Sequence, residues 1–182
     1  MPSEYEALTV ANDEGVAFVT LDHPPVNLLD AAMIGDLWSV ANRLADDDTV
    51  RVVVLRSADA EFFIAHADLE LIQQLPRDIT ERGSELAVIH QFMERWRTLP
   101  QVTIAQIEGR ARGGGSEFAM SLDLRFAADG RAVLSQPEVS VGIIPGGGGT
   151  LRLPTWSGGG ERSRSSSAVP TSTPRPPSAT DG

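Results

Sequence analysis

Hydrophobic and polar positions divide most of the chain into short strands and amphipathic helices. Residues 16–21 (VAFVTL) are rich in β-branched and aromatic side chains and end at a proline-containing turn, which predicts a strand. Asp30 follows a loop and can cap a helix. The apolar side chains of that helix recur at helical spacing on one face, namely Met33, Leu37, Val40, Ala41 and Leu44.

A second strand and a second helix are predicted farther along. Residues 52–55 (VVVL) form a continuous apolar run, typical of a strand buried on both faces. A strand, a helix and a strand joined by a short return favour a parallel crossover, and hence an α/β fold. After the breaker pair at 75–76, an amphipathic helix that ends before Pro100 is predicted with Leu86, Ile89, Met93 and Trp96 on its apolar face. A buried strand follows at 102–107.

The stretch 104–152 combines two glycine-dense turns with two acidic residues. Glycines at 113–115 follow the strand and precede a helix predicted from Ser116, and a second glycine turn lies at 146–149. Such glycines let backbone N–H groups approach a ligand, and the helix dipole adds partial positive charge, as in an oxyanion hole. Between the turns, Glu117 and Glu138 are candidate acid–base groups. Taken singly, Glu117 is better interpreted as a complement to the helix dipole and Glu138 as a solvated loop residue, and only their joint pattern favours a catalytic role.

Composition and charge narrow the class of protein. The 182 residues, 41% of them hydrophobic, suffice for one domain with a core. A net charge of −10 argues against binding to nucleic acid or to an anionic membrane. The N-terminal residues lack the apolar region of a signal peptide, and no run reaches the ~20 apolar residues of a membrane span. The expected location is cytoplasmic.

Metal, thiol and nucleotide chemistry have little support. The chain has no cysteine, which excludes disulfides and thiolate catalysis. His23, His66 and His90 show no metal-ligand spacing, so no metal is expected. No glycine run continues as a Walker loop, and G-x-G-x-x-G does not occur between a strand and a helix.

Two long motifs carry a resemblance to a known family. GGGSEFAM around Glu117, followed by SQPEVSVGIIPGGGGT around Glu138, resembles the enoyl-CoA hydratase/isomerase (crotonase) family, and the resemblance covers residues 16–154. It implies an α/β fold built as a spiral of ββα units. It also implies an acyl-CoA substrate bound through its thioester, with no other cofactor. By the same resemblance, the oxyanion hole consists of the N–H groups of Ala67 and Gly114, and the substrate-binding residues are Ala65, Ala67, Asp68, Leu69, Glu70 and Gly114.

His66 departs from the common form of the family, in which glycine stands between the two alanines. If the backbone there had a positive φ, a histidine would be strained. We interpret His66 as a residue at a loop-to-helix junction without a chemical role.

The presence of both glutamates favours hydration of a 2-enoyl-CoA to a 3-hydroxyacyl-CoA. In the family's hydratases, the residues matching Glu117 and Glu138 hold the attacking water, and two such carboxyls are expected to titrate together. A double-bond isomerase needs only one base near Glu138, and hydrolase or decarboxylase chemistry also occurs in the family. A non-catalytic remnant of such an enzyme is the alternative from another class.

The composition changes from Thr155 onward. Residues 155–182 are rich in serine and proline, lack hydrophobic periodicity and are predicted to be a disordered tail after a core of residues 1–154. Family members continue instead into a helical region that closes the acyl pocket and builds a trimer or hexamer. We therefore expect a fold incomplete in its C-terminal helical region, without the usual trimerisation segment. Since all 15 basic residues are arginine, a GC-rich gene with a frameshift near Pro154 is a further hypothesis.

Overall fold

The computed structural model describes residues 4–74 and 84–156. Over these residues the chain forms eight strands in two sheets, together with five α-helices and one 3-10 helix at Glu138–Val141. The strands are β1 (Leu8–Asp13), β2 (Val16–Leu21), β3 (Val52–Ser57), β4 (Phe62–Ile64), β5 (Val102–Ile107), β6 (Arg110–Arg112), β7 (Leu124–Ala127) and β8 (Val133–Ser135). The α-helices are α1 (Ala31–Ala45), α2 (Leu69–Gln73), α3 (Val88–Arg97), α4 (Gly114–Ser121) and α5 (Gly149–Trp156).

The larger sheet has the strand order β1-β2-β3-β5-β7. β1 and β2 form an antiparallel hairpin through Glu14 and Gly15, both with positive φ; the sequence pattern did not indicate this hairpin. β2 and β3 are parallel with Val16 opposite Val52, which confirms the crossover through α1. β5 and β7 continue the parallel part of the sheet.

The smaller sheet runs alongside with the parallel order β4-β6-β8. The chain leaves the larger sheet after β3, β5 and β7, forms one strand of the smaller sheet each time, and then enters a helical segment. Backbone hydrogen bonds join successive turns of this spiral path. For example, Arg110 N donates to Glu61 O over 2.7 Å. A side chain at Gly109 would collide with the Glu61 carbonyl. These three turns form the predicted spiral of ββα units.

The helix predictions are confirmed where the apolar spacing is regular. Asp30 caps α1 by accepting from Met33 N over 2.9 Å, and the five predicted apolar residues are its buried ones. On α3, Met93 and Trp96 are buried and Ile89 is half-buried. Leu86 is exposed, so its assignment to the apolar face was wrong, because the helix begins two residues later.

Several boundaries differ from the predictions. On β3, Val53 and Leu55 are buried while Val52 and Val54 are half-buried, so burial on both faces is only partial. α4 begins at Gly114 instead of Ser116. α5 includes Thr155 and Trp156, which the sequence assigned to the disordered tail. The rest of that tail, and the breaker pair at 75–76, lie outside the described residues.

The C-terminal part of the described chain exposes several large apolar side chains, at Leu124, Phe126, Leu134, Val139, Val141, Ile144, Leu151 and Trp156. No helix among residues 4–74 and 84–156 is long and apolar enough to cross a membrane.

Candidate active site

The carboxyl ends of the three strands of the smaller sheet bring the predicted site residues together. Ala67 lies three residues beyond β4, Gly114 two residues beyond β6, and Glu138 three residues beyond β8. Since these strands are parallel, their carboxyl ends meet at one edge of the sheet, where α/β proteins place ligands. Glu117 lies on α4, in the first turn after β6.

Ala67 is fixed by a backbone bridge to Leu29. Leu29 N donates to His66 O over 3.0 Å, and Asp68 N donates to Leu29 O over 3.1 Å. In a trans peptide the C=O and N–H point in opposite directions, so the Ala67 N–H is directed away from Leu29.

Gly114 lies directly against Ala67. A Cβ added at Gly114 would be 2.9 Å from Ala67 Cβ and 3.5 Å from Ala67 N, so the close approach requires glycine. Gly114 is the first residue of α4, where an N–H has no acceptor within the helix. Within the described part of the chain, neither this N–H nor that of Ala67 has a hydrogen-bond acceptor.

His66 does not adopt the strained conformation considered for it. Apart from glycine, the positive φ angles of the described residues belong to Glu14 and Asn27. The His66 ring approaches Ala67 O with Nδ1 at 2.8 Å. Because a carbonyl only accepts, Nδ1 carries the proton in this contact.

Glu117 is almost completely buried, with 4% of its surface exposed. Its Oε1 accepts a hydrogen bond from Gly149 N over 2.7 Å. Gly147 packs so closely that an added Cβ would lie 2.6 Å from Glu117 Oε2. Burial raises the pKa of Glu117, although the N–H groups of Gly149 and Gly147 and the nearby charges of Arg152 and His90 oppose this shift.

Glu138 begins the 3-10 helix and is 8% exposed. Burial raises its pKa, and the negative charge of Glu117 raises it further, against the effect of a hydrogen bond from its own backbone N–H. Gly113 leaves the space for this carboxyl group, since a Cβ there would lie 2.9 Å from Glu138 Oε1. The two carboxyls are thus close enough to influence each other's ionisation.

Gln136 is a site residue that the sequence reasoning missed. Its amide is oriented with the nitrogen towards Glu138, because the opposite orientation would place an oxygen against the carboxylate. Nε2 then donates to both carboxyl oxygens, over 3.0 and 3.1 Å. A Cβ on Gly149 would lie 3.2 Å from Gln136 Cδ and 3.0 Å from Glu117 Oε1, so Gln136 also lies near the other glutamate. Its position two residues before Glu138 was the available signal.

The residues predicted to bind the substrate extend from the buried strand end to the surface. Ala65 is buried and donates through its N–H to Val26 O over 3.3 Å. Asp68 caps the short helix α2 by accepting from Glu70 N over 2.8 Å. Leu69 is 49% exposed and Glu70 is exposed. The segment therefore connects the Ala67–Gly114 contact with solvent.

This arrangement suits addition or proton transfer next to a carbonyl. Two backbone N–H groups without acceptors can stabilise negative charge on a carbonyl oxygen. Two buried carboxyls of raised pKa are suited to accept and donate protons. In the described ranges, no group of three or more His, Cys, Asp or Glu residues is arranged to hold a metal ion.

The chain is similar in sequence and fold to known proteins. The family model for enoyl-CoA hydratase/isomerase matches residues 11–161. A Bacillus subtilis protein named "Probable enoyl-CoA hydratase" is 37% identical over 157 residues, which cover 84% of this chain and 58% of that protein. The fatty acid oxidation complex subunit alpha of Idiomarina loihiensis is 37% identical over 161 residues, covering 86% of this chain and 22% of the relative.

Solved structures show the same fold. The crystal structure of an enoyl-CoA hydratase from Bacillus anthracis superposes with a TM-score of 0.77 at 31% identity, covering 88% of this chain and 62% of that one. The chain thus spans less than two thirds of the length of the B. subtilis and B. anthracis proteins. From its two motif blocks, its spiral of parallel strands and these matches, the chain belongs to the enoyl-CoA hydratase/isomerase family.

Proposed function

We propose that the protein adds water across the 2,3-double bond of a 2-enoyl-CoA and forms a 3-hydroxyacyl-CoA. The observation that carries this proposal is the pair of buried carboxyls, Glu117 and Glu138, beside the contact between Ala67 and Gly114. The names of the curated relatives support the same reaction class.

The thioester oxygen would lie between the N–H groups of Ala67 and Gly114. When water adds at C3, negative charge develops on that oxygen as an enolate, and both donors stabilise it. A donor of this kind commonly contributes ~3 to 4 kcal/mol to the stability of the transition state. Because Gly114 opens α4, the helix dipole adds to the effect.

The two glutamates would divide the proton transfers. Burial raises the pKa of Glu117 overall, but the N–H groups of Gly149 and Gly147 and the charge of Arg152 oppose this shift by stabilising the carboxylate. We therefore assign Glu117 the role of the base that accepts a proton from water as the water oxygen bonds to C3. The charge on Glu117 favours the neutral form of Glu138, which donates a proton to C2. Water thereby supplies a hydroxyl group to C3 and, through the carboxyl pair, a proton to C2.

The coenzyme A portion would follow the segment that leads to the surface. Ala65 and Ala67 lie at its buried end, while Asp68, Leu69 and Glu70 form the first turn of α2 at its exposed end. We propose that this segment and Gly114 contact the substrate. The carboxylate of Asp68 is occupied as a helix cap, so its contribution would come from the backbone.

The test is hydration of crotonyl-CoA by the purified chain, followed as loss of the absorbance of the conjugated thioester. Glu117→Gln and Glu138→Gln should each lower kcat by about 10²-fold or more, since each removes an acid–base group. Glu61→Gln is the control, because that side chain is 74% exposed and contacts Arg110 away from the site.

Absence of hydration by the parent chain would overturn the proposal and favour a non-catalytic role. Near-normal hydration by Glu117→Gln would contradict the two-acid mechanism and favour an isomerase with a single base.

A further inference from the structure

The glycine loop at residues 146–149 is attached to α3 by two side chains. His90 Nε2 donates to Gly146 O over 2.6 Å, across 56 residues of sequence. Arg152 Nη1 donates to Gly147 O over 3.2 Å, while its Nη2 donates to Glu94 Oε1 over 3.0 Å. Both α3 residues therefore reach the loop, His90 directly and Glu94 through Arg152.

Gly148 allows Arg152 to take this position. Its φ is +116°, a conformation that L side chains rarely adopt. A Cβ on Gly148 would also occupy the place of Arg152 Nη1. The guanidinium group thus packs against the bare backbone of the loop, and glycine is required for both reasons.

The same loop supplies the protein contacts of the buried Glu117 carboxylate. Gly149 N donates to Glu117 Oε1 over 2.7 Å, and the N–H of Gly147 also stabilises the ionised form. The bonds from His90 and from Arg152 Nη1 thus end on the segment that holds this carboxylate. A glycine loop is otherwise free to change its backbone angles.

We propose that Arg152, anchored by Glu94 and assisted by His90, is a positioning residue that holds the glycine loop against the Glu117 carboxylate. The proposal rests on the proposed function in so far as Glu117 acts in catalysis. It goes beyond that function by assigning a role to an ion pair that does not touch the substrate site.

The charges around Glu117 determine the sign of the expected effect. Arg152 and His90 lower its pKa, whereas burial raises it. Across the site, Glu138 interacts unfavourably with Glu117 when both are ionised. Glu94 is neutralised by Arg152 and by Arg97. Loss of Arg152 removes a favourable charge and loosens the two N–H contacts, so the pKa of Glu117 should rise.

Arg97 provides a matched control. It pairs with the other oxygen of the same carboxylate, Glu94 Oε2, over 2.6 Å, and it is 54% exposed. In the described part of the chain, its side chain is hydrogen-bonded and ion-paired to Glu94 and not to the glycine loop. Replacing Arg97 therefore removes an arginine partner of Glu94 without freeing the loop.

The first measurement compares Arg152→Met with Arg97→Met in crotonyl-CoA hydration. Arg152→Met should lower kcat by about 10- to 100-fold, as expected for a misplaced acid–base group, with a much smaller change in KM. The limb of the pH–rate profile that reports Glu117 should move to higher pH. Arg152→Lys, which keeps the charge but not the two-pronged contact, should recover part of the loss. Arg97→Met should match the parent in all these measurements.

The second measurement does not depend on turnover. In protein labelled with ¹³C at the glutamate carboxyls, Glu117→Gln identifies the Glu117 signal by its disappearance. The titration midpoint of that signal should move to higher pH in Arg152→Met and stay unchanged in Arg97→Met. Should Arg152→Met fail to fold, Glu94→Gln tests the same anchor and should shift the midpoint in the same direction by less.

The activity measurement and the Glu117 titration together distinguish a failure of the proposed function from a failure of the positioning role. If the parent does not hydrate crotonyl-CoA but the Glu117 titration shifts as described, the proposed function fails and the loop attachment stands. An unchanged Glu117 titration in folded Arg152→Met would overturn the positioning role. Equal shifts in Arg152→Met and Arg97→Met would overturn it as well, because the effect would then come from Glu94 and not from the loop.

Discussion

Two carboxyls at helix N-termini, Asp30 at α1 and Glu117 at α4, have pKa shifts of opposite sign. At Asp30, partial burial acts upward on the pKa, but hydrogen bonds from Met33 N and from the His23 side chain outweigh it and lower the pKa. At Glu117, burial dominates over the Gly149 and Gly147 N–H groups and raises the pKa. The position at a helix start is similar, and the surroundings decide the sign.

The difference follows from what each region places around its polar groups. Near α1, Asn27 is buried and donates to Ser57 Oγ, Phe62 O and Phe63 O, while its Oδ1 accepts from His23 N. Near α4, glycine backbones leave space for two carboxyls that raise each other's free energy when both are charged. The α1 region thus stabilises the fold, whereas the α4 region loses stability by burying the two carboxyls that we propose as acid–base groups.

The largest expected change is a loss of activity when a side chain fills the space at Gly114. In Gly114→Ala, the new Cβ would lie 2.9 Å from Ala67 Cβ and 3.3 Å from Leu29 Cδ2, so Ala67 must move. Displacement of an oxyanion donor should lower kcat/KM for crotonyl-CoA by about 10²- to 10³-fold.

Gly35→Ala is the control for that substitution, because nothing lies within 4 Å of its added Cβ on the exposed side of α1. It should leave the rate unchanged and raise the free energy of unfolding by about 0.5 to 1 kcal/mol. Parent-level activity in Gly114→Ala would show that the oxyanion assignment is wrong.

An intermediate effect, a loss of folding stability, should follow from replacing Asn27 beside α1. Asn27→Ala removes the side-chain donor to Phe63 O and one of the two side-chain donors to Phe62 O, and it places alanine at a φ of 52°, which should lower the free energy of unfolding by about 2 to 4 kcal/mol. Asn27→Gly loses the same hydrogen bonds without the strain and should be less destabilised by about 1 kcal/mol. Urea denaturation measures both. Equal stability of the two variants would show that the backbone strain contributes nothing.

The smallest effects should appear in the pH dependence of stability. Asp30 has a lowered folded-state pKa, so its contribution is present above its unfolded pKa and is lost as pH falls through the folded value. Glu117 has a raised folded-state pKa, so its contribution is present below its unfolded pKa and is lost as pH rises through the folded value. Each pKa unit of difference corresponds to about 1.4 kcal/mol.

Urea midpoints measured against pH separate the two groups. Asp30→Asn, which keeps a capping side chain, should reduce the loss of stability below about pH 4. Glu117→Gln should remove the decline on the neutral side and be more stable than the parent at pH 7. A Glu117→Gln variant less stable than the parent at pH 7 would show that burial does not dominate the pKa of Glu117.

Local patterns in the sequence predicted the parts of the fold that depend on local physics. The buried face of α1 and its cap at Asp30 follow from spacing within one helix, and both are confirmed. The strands β6 and β8 have three residues each and show no periodicity, so only the resemblance to a family indicated a second layer of strands. Leu86 fitted the helical spacing, but the helix begins at Val88 and Leu86 is exposed.

The candidate site also contains residues that local sequence patterns predicted and contacts that they did not. Glu117 and Glu138 stand in motifs that the sequence makes visible, and the structure places them in one region. The bond from Gly149 N to Glu117 joins residues 32 positions apart, and the Arg152–Glu94 pair spans 58, so local patterns contain no signal for either. The strain considered at His66 was absent because the bridge to Leu29, far away in sequence, sets the backbone there.

The smaller sheet also sets an order for folding during synthesis. β6 pairs with β4, and β8 pairs with β6, so each strand can pair with a strand that emerged from the ribosome before it. The Ala67 segment is therefore laid down first, α4 with Glu117 second and Glu138 third. Gly149 comes last among them, so the Glu117 carboxylate gains its backbone donor only after the other site residues have been synthesised. Until then the uncharged acid is the form that this nascent intermediate can bury at least cost.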